Sequence, residues 1–314
     1  MKFDYTSVGF YTFDCLGRPV TNIPPNADTY FIDEITMAVS GAAGAAAVVA
    51  AKNGLSVQAV GGVGQDDMGD WVLSKLGSFG IDVELMERCS NAATSSSIVT
   101  TRPDGQRPAL HMKGATGAFD ITPDMIPKIL DTEILHIGGT GLMDKVDGET
   151  CFDLFAQAKK SGCTTTLDVF AATREDMGLV SGLLPNTDYF LPSIEEAQAL
   201  SGLIELEDIA GFFFKEGVNC CVITCGEDGV YYHHRDGTVF SSPAYDISVV
   251  CTCGCGDAFN AGFATGLQRG MGVEEILEFA QACSALNATG LGSQAGVVDF
   301  QSTQEFVRTT AKKQ

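Results

Sequence analysis

The stretch VVCTCGCGDAFNAGF, Val249 to Phe263, sets three cysteines, two glycines and an aspartate between a β-branched run and a row of small residues that suit a helix. A glycine-rich turn entering a helix leaves backbone N–H groups unpaired and pointing outward, at the positive end of the helix dipole. Gly254, Cys255 and Gly256 therefore read as an anion site, with Asp257 at its lip. Asp257 has a second reading as the helix cap, a position Asp fills well; a bare cap does not need two glycines ahead of it. Metal binding by Cys251, Cys253 and Cys255 is the weaker reading, because zinc ligands usually have two to four residues between them whereas successive cysteines here have one, and no second Cys pair or nearby His supplies a fourth ligand. A redox role lacks the C-x-x-C spacing.

Outward from this turn, apolar strand candidates at Ser7–Tyr11, Ser56–Val63, Glu133–Gly138, Thr164–Val169, Tyr189–Pro192 and Cys221–Thr224 alternate with helix candidates. The helices fall at Ala42–Lys52, Asp67–Leu76, Gly148–Lys160, Ile194–Leu200, Leu206–Lys215, Ala258–Arg269 and Val273–Asn287. This rhythm predicts an α/β fold with a mostly parallel central sheet and helices on both faces. Two segments break it. Residues 13–40 carry Pro19, Pro24 and Pro25 and then the strand-like YFIDEITMAV; residues 95–113 hold a hairpin around Asp104–Gly105. They are expected to pair into a small sheet standing off the body as a lid, in a chain read as one domain over 1–314.

The 314 residues carry 40 acidic and 19 basic side chains, a formal charge of −21. Nucleic-acid backbones and anionic membranes need clustered Lys and Arg, so neither is an expected partner. An anionic small ligand is not excluded, since helix N-termini hold phosphate without basic side chains. Met37–Ala51, mostly Ala and Gly, is shorter than the roughly 20 residues that span a bilayer and reads as an interior helix. Eleven scattered cysteines and the lack of a leader pattern predict reduced thiols and a cytoplasmic location. The four histidines show no catalytic pairing and read as structural or solvated.

The stretch from Val249 resembles the C-terminal signature of the ribokinase-like (PfkB) family of sugar and nucleoside kinases, D-T-x-G-A-G-D-x-F, at Thr252, Gly254, Gly256, Asp257 and Phe259. GGVGQDDMG from Gly61, DGQR from Asp104, YFLPSIEEAQALSG from Tyr189, VITCGEDGV from Val222 and FDCLGRP from Phe13 are similar to further family segments, in the family's order. The resemblance implies ATP and Mg²⁺ as cofactors and phosphoryl transfer to a hydroxyl of a small sugar. It makes Asp257 the general base and the Gly254–Asp257 turn the hole for the developing charge. Glu196, with Ser193 where the family has Asn, would support Mg²⁺. Thr224, Gly226 and Gly229 would lie along the nucleotide, with Gln281 near the base. Asp14 and Gly41 would bind the acceptor; Arg107 on the hairpin would add charge, and Asp168 ends a strand at the edge where parallel sheets bind ligands.

Two departures matter. Cys251 stands where the family has an Asp that helps shape a monovalent-cation loop, which puts potassium activation in question. The family's GG-x-x-x-N element is SGAAGA at Ser40–Ala45, so a usual hydrogen bond to the sugar is missing. These losses keep a non-catalytic sugar-binding protein as a rival; a nucleoside kinase is the rival among enzymes. A nicotinamide dehydrogenase is rejected, because GGVGQDDMG is not G-x-G-x-x-G and its aspartates would repel a pyrophosphate. The apolar lid strands predict a homodimer.

Overall fold

The computed structural model describes residues 2–170 and 173–313. In chain order the strands are β1 (Phe3–Gly9), β2 (Thr12–Arg18), β3 (Glu34–Ser40), β4 (Val57–Gly64), β5 (Asp82–Cys89), β6 (Ser96–Thr100), β7 (Ala109–Met112), β8 (Thr132–Thr140), β9 (Thr164–Val169), β10 (Tyr189–Phe190), β11 (Cys220–Thr224), β12 (Val230–His234) and β13 (Val239–Ser242). The α-helices are α1 (Ala42–Lys52), α2 (Asp67–Ser78), α3 (Ile126–Ile129), α4 (Glu149–Lys160), α5 (Met177–Val180), α6 (Ile194–Ser201), α7 (Leu206–Lys215), α8 (Cys255–Gln268), α9 (Val273–Ala288) and α10 (Phe300–Thr309). The large sheet runs in the order β13-β12-β11-β10-β9-β8-β1-β4-β5. From β5 to β11 every pairing is parallel, and β12 and β13 extend the edge antiparallel.

Side-chain alternation divides the core between the two faces. Val8, Val60, Leu135 and Ile137 join the cluster that packs against α4, α6 and α7. Their neighbours Tyr5, Val57, Ala59 and Ile134 point the other way, into the cluster with α1, α2, α8 and α9. Burial on both faces is why β4 is apolar or glycine almost throughout, and why α1, nearly all Ala, Val and Gly, fits between the sheet and α8. The fold is α/β, a mostly parallel sheet covered by helices with a small second sheet as lid.

The lid has strand order β3-β2-β6-β7. The segment YFIDEITMAV contributes less strand than its composition predicts: only Glu34 onward pairs, opposite β2, because the preceding residues lack a neighbouring strand. Strands β5, β12 and β13 and helix α10 carried no clear signal; DVELMERC in β5 is half polar because β5 lies at the sheet's edge.

Candidate active site

Phe10 after β1, Leu142 after β8, Val169 and Phe170 at the end of β9, Leu191 and Ser193 after β10 and Thr224 at the end of β11 line one cleft. It opens at the carboxyl ends of the parallel strands, where this architecture places ligands. The lid forms the opposite wall. At the hairpin tip the Gly105 carbonyl accepts from the Thr252 amide (3.3 Å) and hydroxyl (3.2 Å), which ties the lid to the glycine-rich turn.

In that turn Gly254 has φ 73°, and a Cβ there would fall 2.7 Å from the Cβ of Ser293. Only glycine meets both conditions at little cost. Helix α8 begins at Cys255, three residues earlier than its composition predicts, so Gly254 is the N-cap and Asp257 lies inside the first turn. Asp257 does not cap the helix: its carboxylate makes no hydrogen bond among the described residues and faces the cleft. The amides of Gly256 and Asp257 likewise find no acceptor there, which leaves a small anion hole at the positive end of a 14-residue helix.

Burial is the main reason the Asp257 pKa is raised to about 7; Glu196 and Asp14 push the same way and Arg107 opposes them. Asp168, nearly inaccessible, is also raised, first by burial and then by Glu196 and Asp257. Desolvation works against the Arg107 charge, but Cys253, Asp257 and the other turn cysteines outweigh it and raise its pKa. Glu196 and Ser193 form the capping box of α6: Glu196 Oε2 accepts from the Ser193 amide at 2.9 Å and hydroxyl at 2.7 Å.

Asp14, Gly41, Arg107, Asp168, Ser193, Glu196, Gly254, Gly256 and Asp257 all line this cleft, whose volume is about 550 Å³. A second cavity of about 300 Å³ lies behind the turn and takes Gly229, Gln281 and Cys255. Thr224, Gly226 and Gly256 border both, so the two spaces meet at the anion hole. The second cavity is walled by Phe259 of the signature and by Tyr245, Ile247 and Ala285, which no sequence motif had marked. Ala45 is fully buried within α1 and lines neither space. His111, expected to be structural or solvated, lies on the cleft wall; His136 is fully buried, stacked on Tyr5.

No group of three or more His, Cys, Asp and Glu among the described residues could hold a metal by itself. Asp168, Glu196 and Asp257 do converge on the cleft. That suits Mg²⁺, which keeps several waters and relies on one or two carboxylates plus substrate phosphates. The position implied for a monovalent cation fits poorly. The Cys251 thiol lies in an apolar cluster with Leu16, Val99 and Leu291, accepts from the Cys253 amide at 3.4 Å, and is 3.6 Å from Thr101 Oγ1.

Such a fold, with an anion hole and a carboxylate between two cavities, has the arrangement of a phosphotransferase. The model of the pfkB family of carbohydrate kinases matches residues 15–299, and the chain belongs to that family, whose members transfer a phosphoryl group to an alcohol. It is 26% identical to a ribokinase of Haemophilus influenzae over 83% of this chain and 84% of the relative. To a ribokinase of Lactococcus lactis it is 26% identical over 92% of both. The structure of Arabidopsis thaliana ribokinase complexed with ribose and ATP is similar in fold, with a TM-score of 0.83 at 22% identity, covering 98% of this chain and 99% of that one. No helix among the described residues is long and apolar enough to cross a membrane.

Proposed function

We propose that this protein is an ATP-dependent kinase that transfers the γ-phosphate to a hydroxyl of a small sugar. The observation that supports it most is the unpaired Asp257 carboxylate beside the open amides of Gly256 and Asp257, at the junction of the two cavities. In this reading the nucleotide occupies the second cavity along Thr224, Gly226 and Gly229, with Gln281 toward the base, and its γ-phosphate reaches the turn. The acceptor lies under the lid against Asp14, Gly41 and Asp168.

The acceptor oxygen attacks γ-phosphorus while the bond from that phosphorus to the β,γ-bridging oxygen breaks. ADP leaves with the bridging oxygen, and the acceptor's proton passes to Asp257. The main-chain amides from Gly254 to Asp257, with Cys255 and Gly256 between them, take the charge on the equatorial oxygens. Arg107 offsets more of it from the lid side. Glu196 and Ser193 would hold Mg²⁺ through waters, and the bound ion supplies charge neutralisation at the β- and γ-phosphates. The poor fit at Cys251 argues against a monovalent cation as a further cofactor. Asp14 accepts from the Thr12 hydroxyl through Oδ1 at 2.9 Å, which leaves Oδ2 for an acceptor hydroxyl.

The same reading takes the chain as one domain with an inserted lid that pairs with the lid of a second copy. The lid's outer face exposes Ile35, Met37, Ile98, Leu110 and Met112 in adjacent register, an apolar patch of the kind that marks an interface. All eleven cysteines are free, which supports a reducing, cytoplasmic setting. Incubation with Mg-ATP and a panel of sugars and nucleosides, followed by ADP release, tests the reading. A sugar should be phosphorylated. Transfer to nucleosides alone supports the nucleoside kinase, and no transfer with a sugar-induced rise in Tm supports the binding protein.

A further inference from the structure

At one register position the four lid strands align Ala38, Asp14, Ser97 and His111 in a row on the cleft face. Asp14 and His111 stand two strands apart, about 10 Å at neighbour spacings near 4.8 Å. His111 is held from two sides. Its Nδ1 is 3.1 Å from the Ser97 hydroxyl, and its ring meets Phe10 nearly edge-on, 5.4 Å between centroids at 87°. Phe10 in turn is seated on Gly41 and Gly139; a Cβ at Gly139 would come 2.9 Å from the Phe10 Cβ. The imidazole is thus oriented from both the lid and the core, and its Nε2 has no hydrogen-bond partner among the described residues.

The cleft lining is dominated by acidic groups. Asp14, Asp168, Glu195, Glu196 and Asp257 face it, and Arg107 is its one Lys or Arg among the described residues. That single cation lies within the electrostatic reach of Asp257, whose charge helps keep it protonated. A carboxylate or phosphate on the acceptor would face several like charges and would compete with the γ-phosphate for Arg107.

We infer that His111 is a specificity-determining residue: its Nε2 hydrogen-bonds one hydroxyl of an uncharged polyhydroxylated acceptor whose neighbouring hydroxyls bind Asp14, and the site rejects anionic sugars. This rests on the kinase reading and names its substrate class. Desolvation lowers the His111 pKa, with Asp14 opposing, so the ring is neutral near pH 7 and suits a hydroxyl better than an anion.

The test is a titration of the full-length, ¹⁵N-histidine-labelled protein with D-ribose and D-fructose, and separately with D-gluconate and D-fructose 6-phosphate. A neutral sugar should shift the Nε2 resonance of His111 and leave His136, His233 and His234 in place, whereas the two anions should not. In turnover, His111→Ala should raise the acceptor KM about tenfold, the worth of one hydrogen bond, with a smaller effect on kcat and on the KM for ATP. His111→Gln, which puts an amide nitrogen near the Nε2 position, should restore most of the loss. A silent His111 in the presence of neutral sugar, better use of an anionic acceptor, or an unchanged acceptor KM in His111→Ala each overturns the inference. Failure of every acceptor to be phosphorylated overturns the kinase reading instead, and the resonance titration still decides the His111 contact.

Discussion

If Asp257 takes the acceptor's proton, kcat/KM must follow the fraction of Asp257 that is ionised. Burial, with help from Glu196 and Asp14 and against Arg107, raises its pKa to about 7. With the midpoint there, about 9% is ionised at pH 6 and about 90% at pH 8, so kcat/KM should rise roughly tenfold over that interval. Asp257→Asn keeps the shape and removes the acceptor; turnover should fall by about 10²–10⁴ while ATP affinity stays within several-fold, because removing a proton acceptor should not disturb ground-state nucleotide contacts. The same substitution gives a stability readout. A carboxyl with a raised folded pKa favours the folded state when protonated, and that contribution is lost as pH rises through about 7. Asp257→Asn should therefore raise Tm by a few degrees at pH 8, a gain that shrinks toward pH 4. A coupled ADP-release assay across pH 5.5–8.5 and differential scanning calorimetry supply the measurements. A flat profile between pH 6 and 8, or an Asn variant within tenfold of the parent, would refute the assignment of the base.

Gly254→Ala combines a left-handed backbone with a Cβ 2.7 Å from Ser293; it should cost at least about 2 kcal/mol in urea unfolding and abolish turnover, since the turn must shift. Leu110→Lys, on the lid's outer face at 64% exposure, should convert a dimer to a monomer in sedimentation at micromolar concentration, with the fold unchanged by circular dichroism. Turnover should change less than about twofold when potassium is replaced by tetramethylammonium, because the Cys251 thiol gives a monovalent cation little charge to bind.

Much of the frame was readable from local pattern. The helices Ala42–Lys52 and Leu206–Lys215 and the strand Thr164–Val169 end where their composition ends, because a buried parallel sheet imposes a long apolar run and a helix imposes its own period. The hairpin around Gly105 followed from its turn residues, and Gly254, Gly256 and Asp257 stood out because an anion-binding turn needs those types at that spacing. His111 left no such mark. Its neighbours Leu110 and Met112 are apolar and outward, and only the pairing of β7 with β6 and β6 with β2 puts it in a row with Asp14.

The sequence by itself determined what short-range physics can specify: which segments are helix or strand, where glycine-rich turns fall, and which of those turns can present amides to an anion. Tertiary structure alone decided which of these meet. Asp14, Arg107, Asp168, Glu196 and Asp257 are far apart in the chain and share one cleft because parallel crossovers bring the strand ends to one edge and the lid folds over it. The desolvation of Asp257, its repulsion by Glu196 and Asp14 and its attraction to Arg107, which together set its protonation, exist only in that arrangement.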